Sequence, residues 1–138
     1  MLRFAIPLAA TFALTGCQTT NSTADWGRTT TYNRTVLSGQ TIRIQYMHDL
    51  SADCQSNGRP TLKVATGATG GTITFRDETG FSNYEASNVR SKCNTRRSPT
   101  AVIYYNANPA FKGQDFAKVE VFWRDGDVWT YNLNITVR

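Results

Sequence analysis

The chain has few side chains that could carry a reaction. Its single histidine, His48, stands beside Asp49 and close to Asp53. Any Ser-His-Asp or Cys-His catalyst would have to use it as the base. No GxSxG elbow, HExxH pair or phosphate-cradling glycine loop accompanies it. A lone histidine at the end of a strand reads as a solvated loop residue, so no catalytic residue is assigned and the chain is not expected to be an enzyme. Asp125-Gly126-Asp127 offers two carboxylates to a hard cation, too few for a calcium cage. Asp-Gly between two alternating runs is instead what a tight hairpin needs. Neither a metal nor a cofactor is therefore expected. Arg90, Lys92, Arg96 and Arg97 form the densest charge cluster. Such a cluster is either a solvated loop or a contact for phosphates, acidic glycans or a partner's carboxylates, which guanidinium geometry suits. Trp123 and Trp129 flank the last turn and alternate in phase with apolar neighbours, which predicts core packing.

Ahead of all of these lies Leu14-Thr15-Gly16-Cys17, preceded by Arg3 and an apolar run from Phe4 to Leu14. An apolar stretch of that length ending in small residues reads as an export signal, too short to span a bilayer. The tetrad resembles the lipobox of bacterial lipoproteins. That resemblance implies cleavage of a leader at residues 1–16 and a diacylglyceryl thioether on Cys17, with a further acyl chain on its freed amine. It also implies a cell-envelope location. Gln18, rather than aspartate, after the cysteine favours the outer membrane, with the membrane itself as first partner through the lipid anchor.

If lipid consumes Cys17, Cys54 and Cys93 remain as an even pair in an oxidising compartment, where a disulfide forms and persists. The chain carries a formal charge of +5, and loss of Arg3 with the leader lowers it by one. So mild a basic excess favours acidic partners without selecting one. Export disfavours nucleic acid.

The elements that must position these residues are strands. Gln18 to Thr31 is rich in Thr, Ser and Asn and lacks periodicity, so residues 17–31 read as the lipidated cysteine and a flexible tether. Trp26 is its one large apolar residue. From Tyr32 to Arg138 every segment reads as strand. Thr41 to Tyr46 alternates strictly; Leu62 and Val64, then Ile73 and Phe75, alternate on either side of a glycine-rich connection at Thr66–Gly71, read as a hairpin. Asp77 to Thr100 is the longest irregular stretch, a candidate projecting loop. Ala101–Tyr105 resumes strand character, and Ala117–Trp123 with Trp129–Val137 forms the closing hairpin.

Seven or eight short strands predict one all-β domain at 32–138, an antiparallel β-sandwich. Its last third, from Tyr104-Tyr105 through Asn108-Pro109, Phe111, Gly113, Asp115 and Phe116 to Ile135-Thr136-Val137, resembles the ending of bacterial immunoglobulin-like and cadherin-like repeats. That resemblance implies an immunoglobulin-like sandwich in which Asp115 has a structural role at a turn. The expected function is a lipid-anchored, non-catalytic binding or structural module for an envelope protein or anionic glycan. The alternative is a small lipoprotein inhibitor of lysozyme-type hydrolases, whose 77–100 loop would enter an enzyme cleft.

Overall fold

A computed structural model describes residues 27–138. The leader, Cys17 and Trp26 lie outside the described residues. Nine strands follow one another: β1 (Gly27–Val36), β2 (Thr41–Met47), β3 (Asp49–Leu50), β4 (Ser56–Gly58), β5 (Thr61–Thr66), β6 (Gly71–Phe81), β7 (Arg97–Ala107), β8 (Gly113–Phe122) and β9 (Val128–Val137). A short 3-10 turn, Ser91–Thr95, precedes β7.

Seven of these strands build two sheets, ordered β1-β9-β8-β5 and β2-β7-β6, while β3 and β4 pair separately. The all-β sandwich expected from alternation is present. Its inner faces carry Ile44, Met47, Ile103 and Tyr105 from one sheet and Val119, Val121, Leu133 and Ile135 from the other, all buried in one cluster. The β9-β8-β5 and β2-β7-β6 rows follow the CFG and BED partition of immunoglobulin-type sandwiches. The first strand departs from an all-antiparallel arrangement, because β1 pairs with β9 in parallel, Gly27 opposite Val128 and Val36 opposite Val137.

Three sequence expectations are corrected. Gly27–Thr31 is part of β1, paired with β9, and is strand rather than tether. Only Tyr32 and Val36 give β1 apolar inward positions, and its pairing comes from a partner about a hundred residues away. Polar composition therefore masked it. The Thr66–Gly71 connection is no hairpin either: β5 pairs with β8 and β6 with β7, so the link crosses between sheets. The longest irregular stretch is narrower than 77–100 and spans 82–96, because β6 runs to Phe81 and β7 starts at Arg97.

Two devices fasten what the strand ladders leave open. Cys54 and Cys93 form a disulfide, closing a separation of 39 residues, worth about 4 kcal/mol in the chain-entropy account. At the crossover, Asp115 accepts hydrogen bonds from the amides of Thr69 and Gly70 (both 2.9 Å), from its neighbour Phe116 N (2.9 Å) and from the Tyr105 hydroxyl (2.7 Å). Burial pushes this carboxyl up, but those donors outweigh it and hold its pKa below the ordinary value.

Candidate functional site

The inward rows of β8 and β9 run one step further than the opposite sheet covers. Ala117, Val119 and Val121 are sealed by the facing sheet, and the next inward position, Trp123, is only half-buried. On β9 the same happens between Tyr131 and Trp129. The two indoles meet at 4.8 Å between ring centres, tilted by 58°. The Asp125-Gly126 turn that joins their strands is a tight one: Gly126 adopts φ +96°, and Trp123 N donates to Asp127 O.

Facing the indoles are the end of β2 and the segment after β6. Together they enclose an open cleft of about 350 Å³, its walls including Tyr46, His48, Tyr84, Trp123, Trp129 and Tyr131, with Asp49, Asn83, Asn88, Arg90 and Asp125 among its polar groups. A second hollow of about 510 Å³ adjoins it, sharing Asp49, Arg90 and Asp125 and adding Asn57 and Arg124. The core packing expected of the tryptophans holds in part: both pack against the core cluster but stay half-buried. Their alternation sets the direction in which they face, and the length of the opposite sheet leaves them partly uncovered.

The 82–96 segment is bound down as the cleft's wall. Asn94 Oδ1 accepts from Ser82 Oγ and Tyr84 N (both 2.9 Å), and its Nδ2 returns to Tyr84 O (2.8 Å). The Tyr84 hydroxyl donates to His48 O at 3.0 Å, and Arg90 Nε donates to Leu50 O. The disulfide at Cys93 pins the same segment.

His48 is not the solvated residue expected from sequence. It is 8% exposed, and its Nδ1 lies 2.7 Å from Ser98 Oγ. Burial lowers its pKa, with the carbonyls of Phe81 and Pro99 opposing, which keeps the ring neutral at pH 7. Ser98 is itself buried, away from the cleft, and no carboxylate orients the other ring nitrogen. The pair therefore lacks the arrangement of a nucleophile and base presented to a substrate. Among the described residues, no group of three or more His, Cys, Asp or Glu side chains could hold a metal ion.

Of the four basic residues, Arg90 lies apart from the exposed Lys92, Arg96 and Arg97. Arg90 turns inward to the cleft wall, while Arg97 lies on β7, donates to Thr79 O at 2.7 Å and covers Phe81 at 5.8 Å. Lys92 and Arg96 are exposed. Residues missed by sequence reasoning are Tyr46, Tyr84, Asn83, Asn88 and Arg124, which come from three separate segments. The one available signal was the continuation of alternation into Trp123 and Trp129 at the strand ends.

No protein-family model matches this sequence, and no curated protein matches it. Among solved structures, the solution structure of amebosin is similar with a TM-score of 0.43 and 11% identity, covering 81% of this chain and 98% of that one. That likeness is too distant to bear on function.

Proposed function

We propose that this chain is a lipid-anchored cell-envelope lipoprotein whose β-sandwich is a non-catalytic binding module for an envelope protein or glycan. The observation that carries the binding role is the aromatic-walled cleft at the uncovered end of the sandwich. Concave sites of this size, apolar with a few convergent polar groups, are where ligands bind. Anchorage rests on the lipobox-like Leu14-Thr15-Gly16-Cys17; two or three acyl chains, each buried CH₂ contributing about 0.8 kcal/mol, would make release slow. The hydrolase-inhibitor alternative relied on a projecting loop, and the docked 82–96 segment gives it no support.

Two measurements test this reading. Mass spectrometry of the native protein should find a chain that starts at an acylated Cys17; an intact leader or a bare sulfur there overturns the anchor. Immobilised full chain should retain a component of envelope extract that Trp129→Ala fails to retain. If retention is the same for both, the cleft is not the binding surface and the proposed role is lost.

A further inference from the structure

Three buried side-chain nitrogen or oxygen atoms lack a well-formed hydrogen bond among the described residues, and two of them, Trp123 Nε1 and His48 Nε2, belong to walls of this cleft. The carbonyls of Phe81 and Pro99 lie beside the His48 ring. A buried polar atom without a partner is costly, and its presence in a cleft wall calls for a ligand group. The indole nitrogen can only donate. His48 Nε2 donates or accepts according to how Ser98 binds Nδ1. A hydroxyl, which both donates and accepts, answers either nitrogen; a phosphate or carboxylate oxygen answers only a donor.

The rest of the cleft favours the same chemistry. The tilted Trp123–Trp129 pair, with Tyr46 and Tyr84 in the same walls, supplies aromatic surface for the apolar side of a pyranose. One face of Trp129 is taken by Arg28 at 5.2 Å. Exposed Asn83 and Asp125 stand on the rim for its hydroxyls. Charge is nearly balanced across the cleft and the adjoining hollow, Asp49 and Asp125 against Arg90, Arg124 and the Arg28 that lies over Trp129. The Arg90 guanidinium is already engaged on Leu50 O. Nothing there selects for a polyanion.

We infer that the cleft binds a neutral or N-acetylated sugar chain, stacked on Trp129 and Trp123 and hydrogen-bonded by Asn83, Asp125 and the Trp123 indole. This deepens the proposed function and rests on its cleft. Trp123 Nε1 and His48 Nε2 are covered in the present conformation, so binding requires the half-buried Trp123 ring to turn. Tryptophan fluorescence should register that movement.

The test uses the full chain in a detergent without a sugar headgroup, titrated with chitotetraose, cellotetraose and heparin. Chitotetraose or cellotetraose should shift the tryptophan emission and bind by calorimetry. Trp129→Ala should weaken that binding at least tenfold, and Trp123→Phe, which keeps an aromatic ring but loses the pyrrole ring and its N–H, several-fold. Phe116→Ala, on the outer face of β8, should leave it unchanged. If Trp129→Ala impairs folding, the Trp123→Phe result decides alone. Absence of binding by either neutral oligosaccharide, preference for heparin, or indifference to Trp123→Phe overturns the assignment. Should the neutral sugars fail while envelope extract is still retained in a Trp129-dependent way, the sugar assignment falls and the binding module stands.

Discussion

Asp115 and His48 show how two buried polar residues of similar exposure both lose their proton, one ending charged and the other neutral. Asp115 gathers donors from the crossover and from Tyr105, so its charged form is favoured. Asp115→Asn should destabilise the domain by about 2–3 kcal/mol, since an amide cannot accept all of those bonds. The folded pKa lies below the ordinary 3.8. Its contribution is therefore full above that value and is lost as pH falls through the folded pKa. Denaturation midpoints of wild type and Asp115→Asn should differ at pH 7 and converge in strong acid. His48 has its folded pKa lowered from the ordinary 6.5, because burial disfavours the imidazolium. The unfolded chain then binds the proton more readily, so stability is full above 6.5 and declines as pH falls through the folded pKa. Thermal midpoints measured from pH 8 to pH 5 should drop for wild type, and His48→Gln should remove that part of the drop. A flat wild-type profile would show that His48 is not held neutral.

Among the elements, the β5–β6 crossover depends on close approach. A Cβ on Gly71 would fall 2.4 Å from Tyr105 Cζ and 2.5 Å from Asn106 O, one of them backbone that cannot yield cheaply. Gly71→Ala should displace the Tyr105 ring from Asp115 and cost about 2 kcal/mol or more, in the range of overpacked cores. A lowered urea midpoint at unchanged slope would register it; an unchanged midpoint would mean that the ring has room to move. The same passage shows why sequence misread this link. Alternation on both sides of a glycine-rich run reports two strands, and which sheet each joins depends on the distant β7 and β8.

Taken as one body, the domain has a direction. β1 enters at Gly27 opposite Val128, next to Trp129, so the chain arrives at the cleft end, and Ser38 with Arg138 closes the far end. Nine residues lie between Cys17 and Gly27, a reach of at most about 35 Å. Anchored as proposed, the cleft would lie on the membrane-facing side and the Asn108–Pro109 turn about 30 Å farther out, given the rise of a ten-residue strand. Fluorophores at Asp125 and at Asn108, on protein bound to vesicles carrying a headgroup quencher, should show stronger quenching at Asp125. Equal quenching would mean that the domain has no fixed orientation on its tether.

The sequence alone determined the class of fold and the facing of its side chains. Period-two alternation in β2, β8 and β9 can be satisfied only by strands with one buried side, and Asp125-Gly126 demanded a tight turn. Pairing was a different matter. The parallel β1–β9 ladder, the crossing of β5 to β6 and the docking of 82–96 join residues far apart in the chain, and no local pattern records such partners. The cleft belongs to that second kind of fact: alternation turned Trp123 and Trp129 inward, but they became a cleft wall only because the opposite sheet ends before it can cover them.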